Sequence, residues 1–171
     1  MNKSLQKIYF DPYLFFSLFL LSTLGLFFLF SASNSDISIV SKQLVYIVVG
    51  FIIMIVVSQP DPDIFRRTSG LFLIFSLLLL GITYLIGPEI NGAQRWVRVG
   101  PFSFQSSELL KLAVPIFLAN FLFDKKLPIQ RKEIIISLLI IFCCFFFVFR
   151  QPDLGTALII ACSGLFVLFL S

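Results

Sequence analysis

The chain has 171 residues, of which 58% are hydrophobic and 13% charged, whereas a soluble globular domain carries about 25% charged residues. Mean hydropathy is +1.02, and 23 Phe against 9 Gly and 8 Pro exclude a disordered or collagen-like chain, so an integral membrane protein remains. The net charge of +4 sums segments on two sides of a bilayer and gives no argument for nucleic acid, so the placement of the charges carries the information.

A hydrocarbon core takes roughly 17 to 25 apolar residues per helix. Six runs meet or approach that length, at 13–32, 43–57, 70–86, 109–123, 134–149 and 155–170. The second and fourth are short on apolar count and draw on their flanks, 37–42 and 106–108. The first is longer than a signal-peptide core and leads directly into more membrane sequence, so it is expected to stay in the mature protein. The predicted fold is all-α and polytopic, one transmembrane domain over residues 1–171.

Lys3 and Lys7, Arg66 and Arg67, and Lys125, Lys126, Arg131 and Lys132 fall in alternate linkers, eight of the 13 Lys and Arg. By the positive-inside rule those segments and the N-terminus are cytoplasmic. The outer side then holds residues 33–42, a long loop at 87–108, and the short turn Arg150-Gln151-Pro152-Asp153. The long loop is the most polar part of the chain, with Glu89, Asn91, Gln94, Arg95, Trp96, Arg98, Gln105 and Glu108. The last span ends at Leu170-Ser171 without a basic anchor, which reads as a chain cut short.

There is no histidine, which removes the commonest general base and metal ligand. Cys143, Cys144 and Cys162 lie in apolar runs without ligand spacing and read as packing residues. Chemistry falls to carboxylates, Lys, Arg and amides. Lys42, Arg95, Arg98, Lys111 and Arg150 stand on the side that the charge rule depletes of cations, close to the outward N-termini of the second, fourth and sixth helices. Unpaired N–H groups and the positive end of the helix dipole favour anions there, so a phosphate-bearing lipid headgroup fits, and so does plain snorkelling to headgroups.

Glu108 and Lys111 are spaced to pair on one helical face. Ser106 or Ser107 suits the cap of the fourth helix, and Asp153 suits the start of the sixth, with Pro152 in its first turn. Trp96 reads as an interfacial anchor, and Pro115 should kink the fourth helix.

Three strings are specific: Asn91-Gly92-Ala93-Gln94-Arg95-Trp96, Phe104-Gln105-Ser106-Ser107-Glu108-Leu109-Leu110-Lys111-Leu112-Ala113-Val114-Pro115, and Gln151-Pro152-Asp153-Leu154-Gly155-Thr156-Ala157. They resemble the shape, elongation, division and sporulation (SEDS) family, its rod-shape branch more than its division branch. Asp11-Pro12, Ser31-Ala32-Ser33 and Lys42-Gln43 support the likeness, which runs along the whole chain in order. One departure is Ser106 where the family usually has proline; another is length, since family members resemble ten-helix proteins of about twice this size.

The resemblance implies a peptidoglycan glycosyltransferase of the bacterial cytoplasmic membrane. Such an enzyme polymerises lipid II onto a glycan held on undecaprenyl pyrophosphate, beside a class B penicillin-binding protein. It also implies that the catalytic aspartate lies in a later outer loop that no residue of this chain matches. The candidate binding set for lipid-linked phosphate is Arg95, Lys111, Gln105, Glu108, Lys42, Arg150 and Asp153. No cofactor is expected, although a divalent cation is compatible with a pyrophosphate. The alternatives are a lipid II translocator, a division or sporulation paralogue, and an inactive fragment.

Overall fold

Most helices begin where the sequence supplies a cap or a proline. The computed structural model describes residues 11–89, 94–99, 102–123, 125 and 129–171. Lys3, Lys7, Asn91, Gly92, Ala93 and Lys126, used above in the charge and motif arguments, lie outside the described residues. The described chain divides into two units, one ending at Asp61 and one spanning Pro62–Ser171.

The first unit is a helical hairpin of α1 (Pro12–Ala32) and α2 (Ile37–Ser58). Asp11 Oδ1 accepts from the backbone N–H of Tyr13 at 2.9 Å and of Leu14 at 3.2 Å, and Pro12 stands in the first turn, where its missing N–H costs nothing. The chain reverses through Asn34 and Ser35, at φ 53° and 64°, a region in which a short polar side chain is tolerated. Asp36 then caps α2 by accepting from Ser38 N–H at 2.8 Å. Phe15 and Phe51 stack obliquely across this hairpin, 5.2 Å between centroids. Residues 37–42, the flank on which the short second span was expected to draw, are helical, so Lys42 lies within α2. Apolar Ile37, Ile39 and Val40 continue the run upstream of Gln43, and the Asp36 cap sets the start.

The second unit holds α3 (Pro62–Ile86), the strands β1 (Trp96–Val99) and β2 (Phe102–Gln105), α4 (Ser107–Phe123), α5 (Arg131–Phe149) and α6 (Leu154–Leu170). The buried stripe of α3 is Ser69, Leu73, Ser76, Leu80 and Thr83. Small hydroxyl residues let helix backbones approach closely in a membrane. Ser76 and Thr83 satisfy their own hydroxyls by donating to the carbonyls of Phe72 and Leu79, each at 2.7 Å. On α4, Leu110, Ala113, Val114 and Leu118 are wholly buried, and they join Ile141 and Val148 of α5 and Ala157 and Ile160 of α6 in one core. Gly164 of α6 is the closest approach, since a Cβ there would lie 2.7 Å from Ile141 Cγ1 and 3.2 Å from Leu118 Cδ1.

The all-α, multi-pass architecture holds, with all six expected helices present. Four of them, α1, α2, α3 and α5, are long and apolar enough to cross a membrane by length and composition. The other two, α4 and α6, have 17 residues each, about 25 Å of helix and the short end of the spanning range.

The addition is the hairpin inside the 87–108 loop, an antiparallel pair in which Trp96 faces Gln105 and Val97 faces Phe104. Two further expectations are corrected. Pro152 precedes the cap residue Asp153 instead of occupying the first turn of α6. Neither Ser106 nor Ser107 caps α4: the Ser106 hydroxyl is buried without a partner among the described residues, and the Ser107 hydroxyl accepts from Gln105 Nε2 at 3.0 Å.

Candidate functional site

At one end of the second unit the end of α3, the hairpin, the start of α4 and the α5–α6 turn come together. Arg95, just before β1, donates from Nε to the Gln151 carbonyl at 2.7 Å and from Nη2 to the Pro152 carbonyl at 2.6 Å. Gln105, at the far end of β2, donates from Nε2 to Asp153 Oδ2 as well as to Ser107. The other oxygen of Asp153 caps α6, accepting from Thr156 N–H at 3.1 Å. Both ends of the hairpin are therefore tied to the same turn, one by a cation on carbonyls and one by an amide on a carboxylate. Charge-assisted bonds of this kind are shorter and stronger than neutral ones.

Beneath this layer Gln151 is 2% exposed and donates from Nε2 to the Leu80 carbonyl at 3.3 Å. Its Oε1 and the Ser106 hydroxyl are buried without partners among the described residues, an arrangement that leaves acceptor capacity in the floor of the site. On the first turn of α4, Lys111 Nζ pairs with Glu108 Oε2 at 2.6 Å. Pro115 lies inside α4 and has no N–H to give the Lys111 carbonyl four residues earlier.

The predicted site residues thus sort into three groups. Arg95, Gln105 and Asp153 form one hydrogen-bonded network, and Glu108 and Lys111 form an adjacent ion pair. Arg95, expected as a free cation, spends two of its donors on the turn and keeps the rest of its five. Arg150 caps the end of α5 and, like Arg98 of β1, is exposed, with no side-chain partner among the described residues. Lys42 is exposed on α2 in the other unit. Among the described residues no three His, Cys, Asp or Glu side chains gather as a metal site. Sequence reasoning passed over Gln151, whose signal was a polar residue in a four-residue break between two apolar runs.

Residues 11–171 match the FtsW/RodA/SpoVE family, described as cell cycle proteins. The chain belongs to that family. Among similar family members, the peptidoglycan glycosyltransferase MrdB of Escherichia coli K12 is 36% identical over 97% of this chain and 45% of its own length. The peptidoglycan glycosyltransferase RodA of Treponema pallidum is 35% identical over 86% of this chain and 35% of its own. The stage V sporulation protein E of Bacillus subtilis is 33% identical over 89% of this chain and 45% of its own.

Solved family structures superpose closely. A chain of a peptidoglycan synthase complex that coordinates polymerization and crosslinking gives a TM-score of 0.86 at 27% identity, over 96% of this chain and 48% of that one. The rod shape determining protein RodA of Thermus thermophilus gives 0.81 at 28% identity, over 90% of this chain and 50% of that one. The chain thus spans about half the length of the relatives it matches.

Proposed function

We propose that this family member serves as the lipid-substrate half of a rod-type peptidoglycan glycosyltransferase in the bacterial cytoplasmic membrane. Its N-terminus is placed in the cytoplasm and the hairpin end on the outer face. Both units belong, in this reading, to one transmembrane domain. The observation that carries it is convergence. Arg95, Gln105 with Glu108 and Lys111, and Asp153 come from three separate strings spread over residues 95–153, and the fold gathers them at one end of the helices.

Glycosyl transfer from lipid II expels a lipid-linked pyrophosphate, whose developing charge calls for fixed cations and aligned N–H donors. The free donors of Arg95 and the ammonium of Lys111 meet that need, with Gln105 and Asp153 holding the hairpin and Glu108 holding Lys111. The relatives named as peptidoglycan glycosyltransferases, and the superposed synthase complex that couples polymerization with crosslinking, support glycan polymerisation beside a class B penicillin-binding protein. The base is assigned to an outer-loop aspartate that no residue here matches.

The test uses the 171-residue chain in nanodiscs. Undecaprenyl pyrophosphate should bind in preference to undecaprenol. Arg95→Ala and Lys111→Ala, compared at equal amounts of folded protein, should weaken it roughly ten- to hundredfold, the worth of one charge-assisted bond. Arg66→Ala, at the opposite end, should not. Fluorescent lipid II supplied to the chain alone should yield no glycan strands. Equal losses at Arg66 and Arg95 would remove the outer cations from the reading. Polymer formation would place the base on a residue present here, Glu108 or Asp153.

A further inference from the structure

On the hairpin side of the second unit, a cavity of about 560 Å³ opens between α3 and α5, lined by Leu77, Gly81, Tyr84, Phe146 and Phe147, with Arg150 at the end of α5. Both helices have the length and hydropathy of membrane spans, so the cavity walls belong to membrane-spanning segments. Water would find few polar partners along such walls. The volume lies in the range of sites that enclose a small ligand.

Three observations define what fits. A Cβ built on Gly81 meets nothing within 4 Å, so the space beside that backbone is open. Apart from Gln151, the walls between the helices are aliphatic and aromatic, and they accept a hydrocarbon chain. The guanidinium of Arg150 has no partner among the described residues. The C-terminus of α5 favours a cation there, but no described residue accepts from its five donors, and an arginine so placed at the end of a membrane span calls for an anion.

We propose that this cavity is a binding site for an anionic glycerophospholipid, its acyl chain against Leu77, Gly81 and Phe147 and its phosphate on Arg150. One free guanidinium matches the single negative charge of a phosphodiester. A pyrophosphate brings more charge than this lining offsets, which separates the site from the Arg95 and Lys111 cluster. The proposal does not depend on the glycosyltransferase reading. A lipid held here would brace α3 against α5 beside Gln151, whose amide already bonds to the Leu80 carbonyl.

The experiment uses the full chain in vesicles of phosphatidylcholine containing a phosphatidylglycerol with a diazirine on its acyl chain, and labelled residues are read by mass spectrometry. Labelling should concentrate on 77–84 and 146–147 and be displaced by excess unlabelled phosphatidylglycerol, not by undecaprenyl pyrophosphate. Arg150→Gln should lower it roughly tenfold, the loss of a charge-assisted contact, and Gly81→Leu should lower it by filling the space, while Arg98→Gln should leave it unchanged. Labels spread evenly over all the helices, wild-type labelling displaced better by undecaprenyl pyrophosphate, or no label at 77–84 would each overturn the proposal. These arms read the wild-type chain and so stand even if a variant fails to fold.

Discussion

Gln105 and Asp153 lie 48 residues apart in sequence and share a hydrogen bond that joins the last residue of β2 to the cap of α6. Asp153 therefore works in two directions, holding the first turn of α6 through Thr156 and holding the hairpin through Gln105. A carboxylate is suited to this because each of its oxygens accepts independently. The hairpin has no buried partner sheet, and a lone two-stranded ribbon is marginal in water, so such ties decide whether it stays in place.

Asp153→Ala removes both bonds at once. Loss of the cap alone costs about 0.5 to 2 kcal/mol, and the freed amide of Gln105 adds to it. Asp153→Asn keeps an oxygen for the cap and should recover most of the stability while leaving the Gln105 contact weakened. Thermal unfolding in detergent, with hydrogen exchange at Thr156 and across 96–105, checks the order: Ala well below Asn, and Asn close to wild type at Thr156 but not in the hairpin.

Arg95 grips two successive carbonyls from two of its nitrogens, and that fork defines its second test. Lysine keeps the charge but is a compact point donor without the planar geometry. Arg95→Lys should therefore loosen the α5–α6 turn almost as much as Arg95→Ala, about 2 kcal/mol in unfolding free energy. Full recovery of stability by lysine would mean that charge, not the two-carbonyl grip, is what the turn uses.

Helices were legible because a run of apolar residues is its own signal, and the local contacts followed from spacing alone, as with Asp153 at the start of α6 and Glu108 paired to Lys111. The hairpin was not, since two four-residue strands are too short for a reliable period. Its cues, Trp96-Val97-Arg98-Val99 and Phe102-Ser103-Phe104 about Gly100-Pro101, sit in a segment dominated by charge. The engagement of Arg95 could not be read at all. Its acceptors are backbone carbonyls, which every residue carries, so sequence marks the cation and not its partner. That is why Arg95 reads as a free phosphate ligand from sequence and as a strut in the structure.

Packing supplies a further prediction. A side chain at Gly164 must displace Ile141 Cγ1 and Leu118 Cδ1, whereas a Cβ at Gly25 of α1 meets nothing within 4 Å. Overpacking a filled core costs about 1 to 3 kcal/mol, and replacing a helical glycine by alanine gains roughly 1 kcal/mol in propensity. Gly164→Val should lower the midpoint of thermal unfolding in detergent, and Gly25→Ala should leave it equal or raise it. Similar shifts at both positions would mean that α4, α5 and α6 do not meet at Gly164 as described.

The orientation proposed from charge is open to direct test. Arg66 and Arg67 stand in the first turns of α3, and Arg131 and Lys132 open α5, while the hairpin and the α5–α6 turn lie at the opposite ends of those helices. Short cytoplasmic loops concentrate Lys and Arg, so the α5 start should face the cytoplasm and the hairpin the outside. Arg66 is further occupied by Asp63 at 3.3 Å and by the Phe123 ring at 4.4 Å, which fixes a cation at that end by packing as well as by charge. The measurement is labelling of single cysteines at Arg98 and at Arg131, both exposed, in a background with Cys143, Cys144 and Cys162 replaced by serine or alanine. In intact cells an impermeant maleimide should reach Arg98→Cys and spare Arg131→Cys until the membrane is opened. The reverse pattern would turn the candidate site toward the cytoplasm, where an enzyme that polymerises an exported lipid-linked sugar could not use it, and would overturn the functional reading together with the topology.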